Sequence, residues 1–238
     1  LLKRRMDNFW GYGSVQAPVW FVGMEEGFKS TKDIVKDKSI LERQFLLPTV
    51  DGMFDASRPI GDNISDLTNL SPFLPDANIQ PTWKFPITLY LFLRDRKRSN
   101  ESEILDFQHF VLADCNKIKE KDRVATLELI PFPAPKISEW LFGDIPGFES
   151  RKILRLYRKQ RTQRLKELVQ KYSPRLVIFY SVTYLKEWVE IIGEMPEEIT
   201  KQMYFTRTEK TSFCVIPQPQ YLPRAYERLY EFAEKLQE

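Results

Sequence analysis

Histidine and cysteine are scarce in this chain. His109 is the only histidine, and Cys115 and Cys214 are the only cysteines, among 238 residues. So few ligands exclude a zinc site built from the chain's own Cys and His, and they exclude a four-cysteine iron–sulfur cluster. We therefore expect no metal and no other cofactor, free thiols in a reducing compartment, and little histidine acid–base chemistry.

Long hydrophobic runs are absent as well. The sequence contains no stretch of about 18 consecutive apolar residues, so no membrane-spanning helix is predicted. Its first residues, Leu1–Arg5, are not the hydrophobic segment of a secretory signal. The expectation is a cytoplasmic protein, a monomer, without a membrane partner.

Neither sign of charge is in large excess. The chain has 36 Lys and Arg against 33 Asp and Glu, a net charge of +3. So small a charge does not by itself indicate a nucleic-acid binder, and local clusters matter more. The hydrophobic fraction of 42% and the aromatic fraction of 13% indicate a packed core. The length fits a single domain over residues 1–238.

Four short apolar segments are typical of strands that are covered on both faces. They are Pro18–Gly23, Arg123–Pro131, Pro174–Ser181 and Thr211–Ile216. Helical patterns occur at Thr31–Leu46, Trp83–Arg98, Glu101–Asn116, Glu149–Tyr172, Val182–Ile192 and Pro223–Gln237. This alternation predicts a parallel sheet with helices on both faces and with all four carboxyl ends on one side. Leu47–Pro81 is predicted to be a long loop.

Polar residues follow the first and the last of these strands. Glu25 and Glu26 come after the first strand, and Gln218 and Gln220 come after the last. Because loops at the carboxyl ends of parallel strands form the ligand crevice of α/β folds, we expect these side chains to meet there. Two alternatives stay open: a solvated acidic turn that caps the next helix, and a Pro-rich turn after an edge strand.

Both loops resemble motifs of the uracil-DNA glycosylase superfamily. Val22-Gly23-Met24-Glu25-Glu26-Gly27 resembles the first motif, a Gly followed by three variable positions and a Gly or Tyr. Ile216-Pro217-Gln218-Pro219-Gln220 resembles the last motif, usually Pro-His-Pro-Ser. Thr126–Pro133 and Pro174–Phe179 are similar to the two strands between them. The resemblance implies a three-layer α/β/α domain with a central four-stranded, mainly parallel sheet in the order 2-1-3-4.

The resemblance also implies roles for individual residues. A glycosylase needs an anion or a water-orienting group near the sugar, and a hydrogen-bond donor at the leaving base. Glu25 would stabilise the sugar cation or orient water, and Gln218 would donate to the base, although its amide carries no titratable proton. The remaining substrate-binding residues would be Gly23, Met24, Glu26, Gly27, Phe28, Glu128, Pro219 and Gln220.

Glu128 is a departure from the family pattern. It falls near the usual base-reading Asn, and it replaces a donor-plus-acceptor group with an acceptor-only carboxylate. Such a residue suits a base edge that offers N–H donors, so we predict that the protein lacks robust uracil excision. The alternatives are a buried or paired carboxylate, or a register that is wrong by one residue.

Basic residues crowd the predicted helix Glu149–Tyr172. Its candidate nucleic-acid-binding residues are Arg151, Arg155, Arg158 and Arg161. Such a face can neutralise phosphates, and the alternative is an ordinary solvated face. Near the start of the chain, Asn8–Gly13 either folds over the crevice or packs on the sheet as a strap.

These features support two functional hypotheses. The first is a uracil-DNA-glycosylase-like protein that binds DNA, a nucleobase or a nucleotide and hydrolyses the N-glycosidic bond of a modified base. The alternative is a non-catalytic relative that binds nucleic acid or protein. Loss of the usual His, Asn and Ser from the motifs favours the alternative.

Overall fold

A computed structural model describes residues 3, 6–7, 9–27, 77–112, 118–134, 140, 142–218 and 223–237. The predicted helix Thr31–Leu46 and residues 47–76 of the predicted long loop lie outside these residues. Within the described part, the chain is an α/β protein with a seven-stranded sheet and helices packed on both faces. The α/β class predicted from the sequence is confirmed.

The four strands predicted from the sequence form the middle of the sheet. In chain order the strands are β1 (Gly11–Tyr12), β2 (Val19–Gly27), β3 (Val124–Ala134), β4 (Leu176–Phe179), β5 (Glu197–Thr200), β6 (Met203–Arg207) and β7 (Ser212–Val215). They lie in the order β1-β3-β2-β4-β7-β6-β5. The neighbours β3, β2, β4 and β7 are parallel, so their carboxyl ends share one edge of the sheet, as predicted. We call this edge the carboxyl edge.

The sheet is larger and more mixed than the predicted four-stranded, mainly parallel sheet. β1 pairs antiparallel with β3, and β5 and β6 continue the sheet beyond β7 with antiparallel pairing. These strands were not predicted from the sequence because they lack a continuous buried apolar run. β1 has only 2 residues, and β5 is exposed or half-buried along its length. Since β6 covers one side of β7, the strand before Gln218 is internal and not an edge strand.

Five α-helices are described, and all of them overlap helices predicted from the sequence. They are α1 (Pro81–Asp95), α2 (Glu101–Asp106), α3 (Ile153–Tyr172), α4 (Leu185–Ile192) and α5 (Ala225–Lys235). A capping box starts α2, since Asn100 and Glu103 each accept a hydrogen bond from the other's amide at 2.9 Å. The chain continues from α2 as a π-helical turn over Phe107–Leu112.

The parallel strands are buried on both faces because large apolar residues predominate on both of their sides. In β2, Phe21 packs against α1 and α2, whereas Trp20 and Val22 pack against α3 and α4. Each large apolar side chain buried in this way contributes about 1.5–3 kcal/mol relative to its exposed state. These two apolar layers fix the strands, and therefore the polar residues at the carboxyl edge, between the helices.

The segment at residues 9–12 packs on the sheet as a strap, which confirms one of the two sequence interpretations. The amide of Glu128 donates to the carbonyl of Trp10 at 2.8 Å, and Gly11 pairs with Leu127 of β3. Gly11 has φ +134°, and a Cβ there would lie 2.0 Å from the carbonyl oxygen of Thr126. Only glycine therefore lets the strap approach β3 so closely.

Candidate functional site

Glu25 lies at the carboxyl edge in a partly buried ion pair. It is near the end of β2, where pairing with β3 shifts register between Glu25 and Gly27. Its side chain is 8% exposed, and its Oε1 accepts a charge-assisted hydrogen bond from Arg151. The hydroxyl of Tyr184 lies 3.5 Å from the same oxygen. Glu25 is thus not the solvated residue of the alternative interpretation. We call Glu25, Arg151 and Tyr184 the strand-edge cluster.

Tyr184 enters this cluster as a protonated donor. Burial raises the pKa of its hydroxyl, and the nearby Glu25 carboxylate raises that pKa further, against smaller opposing effects of Arg158 and Arg151. The phenol therefore keeps its proton at neutral pH and directs it towards Glu25. Arg158 stacks on the Tyr184 ring, with its guanidinium carbon 5.1 Å from the ring centroid. Arg158 also donates to Glu187 of α4, so it links the strand-edge cluster to the surface where α3 and α4 meet.

A second polar pair lies over Gly23. Glu128 of β3 is opposite Gly23 of β2, and the hydroxyl of Tyr180, just after β4, donates to Glu128 Oε1 at 2.9 Å. This bond crosses β2, and the absence of a side chain at Gly23 makes room for it. A Cβ on Gly23 would lie 2.3 Å from Glu128 Oε2 and 2.5 Å from Tyr180 Oη. The space above the first motif's glycine is therefore filled by the chain's own side chains.

Glu128 consequently fits the interpretation of a buried, paired carboxylate. An incoming N–H donor would have to share its oxygens with Tyr180. Glu25 pairs with Ile130, two positions beyond Glu128 along β3. The Cα atoms of Gly23 and Glu25 are therefore separated by about 7 Å along β2. Glu25 and Glu128 therefore lie near each other at the carboxyl edge, but each has its own partner. Glu25 pairs with Arg151, and Glu128 accepts from Tyr180.

The other predicted substrate-site residues do not form one group in the described structure. Met24 is buried in the layer under α3 and α4, where its Sδ accepts a hydrogen bond from Ser181 Oγ at 2.8 Å. Glu26 and Gly27 are the last two residues of β2. Gln218 is half-buried and follows β7, two strands away from β2 at the carboxyl edge. Phe28, Pro219 and Gln220 lie outside the described residues.

Arg161 was a predicted nucleic-acid-binding residue, and its burial requires a correction. It is 1% exposed, so its side chain does not reach the surface. Its guanidinium donates to the carbonyls of Leu129 at 2.5 Å, Phe9 at 2.9 Å and Glu128 at 3.0 Å, and also to the carbonyl of Met6. It lies 3.9 Å from the centroid of the Trp10 ring. Arg161 therefore stabilises the junction of α3, β3 and the strap.

The three other predicted arginines of this helix differ in their surroundings. Arg151 belongs to the strand-edge cluster and is 23% exposed. Arg158 is half-buried and donates to Glu187 Oε1 at 3.0 Å. Arg155 is exposed, together with Lys152 and Lys159. The solvent-facing positive charge of α3 is therefore concentrated in its first two turns, next to the carboxyl edge.

Tyr184 and Glu187 are two residues of this region that were not predicted from the sequence. They follow β4, whose carboxyl end lies at the same edge as that of β2. The sequence signal was a polar or aromatic residue shortly after the third predicted strand. Neither residue belongs to a segment that resembles a family motif, so no role was predicted for either of them.

A comparison of the chain with protein-family models and with curated proteins finds no match. Within residues that the structure describes, no group of three or more His, Cys, Asp or Glu side chains is placed to hold a metal ion. No helix in the same part of the chain has both the length and the apolar character needed to cross a membrane.

Proposed function

We propose that this chain is a uracil-DNA-glycosylase-like protein that binds nucleic acid across its carboxyl edge and the first turns of α3. One observation carries the proposal: the ion pair between Glu25 and Arg151. It joins the end of β2 to a residue just before α3. The polar edge and the exposed cations of the helix therefore form one continuous surface.

The arrangement of the sheet supports the family part of the proposal. Its parallel strands have the order β3-β2-β4-β7, which is the order 2-1-3-4 that the resemblance implies. Apolar layers with helices lie on both faces of these strands. The first motif forms the end of β2, and the described residues of the last motif follow β7, so both lie at the carboxyl edge, where α/β folds bind ligands.

The electrostatics of α3 support the nucleic-acid part. Lys152, just before α3, is exposed, and so are Arg155 and Lys159 on its first two turns. The first turn contains no acidic residue, so the positive end of the helix dipole is not neutralised from within the helix. Phosphates would lower the repulsion among these charges. This surface thus offers sequence-independent attraction next to a polar edge that can contact a base.

The binding proposal is tested by fluorescence anisotropy with a labelled single-stranded oligonucleotide. We expect weak, sequence-tolerant binding whose log–log salt slope is about −0.7 per neutralised phosphate. Replacing both Lys152 and Arg155 by Ala should remove about two phosphate contacts and reduce the magnitude of the slope by about 1.4.

The matched control replaces Lys171 and Lys210 by Ala. These exposed residues precede the amino ends of β4 and β7, opposite the carboxyl edge, and they carry the same total charge. They should leave affinity and slope unchanged. Wild-type protein that does not bind at low salt, or a control pair that weakens binding equally, would contradict the proposal.

Hydrolysis of an N-glycosidic bond is a second candidate function. The low exposure of Glu25 favours it, because a carboxylate in a water-poor site stabilises a sugar cation more strongly than a solvated one. Cleavage of uracil itself is not expected, since Glu128 is paired with Tyr180. A panel of modified bases in single- and double-stranded DNA is the appropriate substrate set.

For any base that is released, Glu25→Gln should lower the rate by about a hundredfold or more, which corresponds to a few kcal/mol of transition-state stabilisation. Glu26→Gln removes a charge from the next position of β2 and serves as the comparison. Because Glu25 pairs with Arg151, its replacement should also lower the thermal midpoint, so rates are measured well below both midpoints. Equal and negligible effects of the two substitutions on the rate would exclude Glu25 as the catalytic group, and release of no base would leave the binding function alone.

A further inference from the structure

A cleft of about 270 Å³ lies between α3 and α4. Its lining residues are Arg155, Arg158, Lys159 and Thr162 from α3, and Lys186, Glu187 and Glu190 from α4. The residues from α3 recur at spacings of three and four, so they share one face of the helix. Four cations and two carboxylates give the cleft a positive balance.

The charged residues of the cleft differ in whether they have an ionic partner. Arg158 donates to Glu187 Oε1 at 3.0 Å and stacks on Tyr184, so its guanidinium is held in place while it neutralises Glu187. For Arg155, Lys159 and Lys186, no ion pair is found within the described ranges, and all three are exposed. Glu190 supplies one negative charge against the three positive charges of these residues. The unbalanced charge therefore attracts an anion.

Thr162 lies at the floor of the cleft and supplies a second, independent observation. Its side chain is 0% exposed, and its Oγ1 has no hydrogen-bond partner in the described part of the chain. An unpaired buried hydroxyl has lost its hydration without a compensating hydrogen bond, which is unfavourable. A ligand oxygen that reached the floor of the cleft would accept this hydrogen and compensate for that loss.

We infer that the cleft between α3 and α4 is a binding site for a phosphate group. Arg155, Lys159 and Lys186 would supply the charge, and Thr162 Oγ1 would donate to a phosphate oxygen. A phosphate suits the site because it has up to two negative charges and several acceptor oxygens on one small centre. The inference goes beyond the proposed function, since it defines a discrete site that does not require nucleic acid.

Inorganic phosphate is the first probe. It is titrated into the full chain at constant ionic strength, with chloride as the balancing anion, and amide NMR shifts are followed. We expect saturable binding, with the largest shifts at residues 155–162 and 185–190. Saturable binding with these shifts supports the site. The absence of saturable binding, or shifts confined to other residues, would overturn it.

Thr162→Val and Lys186→Ala test the two components of the site. Thr162→Val should weaken phosphate binding about tenfold, because it removes a hydrogen bond to a charged group. Its thermal midpoint should stay the same or rise, because an unpaired buried hydroxyl is replaced by a methyl group of the same shape. Lys186→Ala should weaken binding to a similar extent, whereas Lys201→Ala should bind as the wild type does. Wild-type affinity in Thr162→Val would contradict the assignment.

Two further probes identify the source of the phosphate. Ribose 5-phosphate offers a dianionic monoester, and a dinucleotide without terminal phosphates offers only a phosphodiester. Tighter binding of the monoester would support the site as one for a free or terminal phosphate. Equal binding of the dinucleotide would support it as one for a nucleic-acid backbone. Failure of both probes to compete with inorganic phosphate would overturn the inference, whatever the affinity of the chain for longer oligonucleotides.

Discussion

Arg161→Met should lower the free energy of unfolding by about 3–5 kcal/mol, because several buried carbonyls each lose a hydrogen-bond donor, at about 1–3 kcal/mol per group left unsatisfied. The substitution removes one donor from each of four backbone carbonyls, those of Met6, Phe9, Glu128 and Leu129. It also removes the guanidinium that lies 3.9 Å from the Trp10 ring centroid. The methionine chain retains most of the apolar packing of the arginine stem. Urea denaturation, followed by circular dichroism, measures the change.

Arg164→Met is the matched control for this experiment. Arg164 lies one turn further along the same helix, where it donates to the carbonyl of Asp7 at 3.1 Å and pairs with the carboxylate of Asp7 at 3.6 Å. Its side chain is 40% exposed, so water replaces these partners, and the expected loss is below about 1 kcal/mol. If Arg161→Met were as stable as Arg164→Met, the structural role assigned to Arg161 would be wrong.

Gly23→Ala should destabilise the protein by about 1–3 kcal/mol, the usual cost of overpacking a closely packed site. The added methyl group would be placed 2.3 Å from Glu128 Oε2 and 2.5 Å from Tyr180 Oη. These atoms belong to a hydrogen-bonded pair that crosses β2, so both would have to move. The change should therefore also alter any ligand binding that depends on Glu128.

A double-mutant cycle with Glu128→Ala checks the cause of this loss. Removing the carboxylate eliminates the closest contact of the new methyl group, so the second substitution should cost less in the Gly23→Ala background than alone. Gly143→Ala is the control, because a Cβ there would meet its nearest atom at an ordinary 3.7 Å. Additive effects of Gly23→Ala and Glu128→Ala would show that the two positions are not in steric contact.

Much of the sheet could be predicted from the sequence because its central strands are buried on both faces. Continuous apolar runs such as that of β4, in which all four residues are buried, mark such strands directly. β5 and β6 form an antiparallel hairpin at the edge of the sheet, and their residues are mostly half-buried or exposed. Short strands of this kind depend on their neighbours, β6 on β7 and β5 on β6, and have no comparable signal in their own sequence.

The candidate site was predictable in position but not in its contacts. The motif placed Glu25 at the carboxyl edge, yet its partner Arg151 is 126 residues away in the chain, and only the packing of α3 brings the two together. Arg161 was assigned to the solvent face because the helix is basic overall. Its spacing from Leu154, Leu165 and Leu168 places it on the buried stripe instead, and this periodicity was a usable sequence signal.

Hydrogen–deuterium exchange with and without a single-stranded oligonucleotide locates the nucleic-acid surface directly. At low salt, bound oligonucleotide should slow exchange at the end of β2 and at residues 147–159, which include Arg151 and the exposed cations of α3. Residues 197–211, which contain the β5–β6 hairpin, should exchange as in the free protein and provide an internal control. Protection confined to that hairpin, or no protection under conditions of saturating oligonucleotide, would contradict binding across the carboxyl edge and α3.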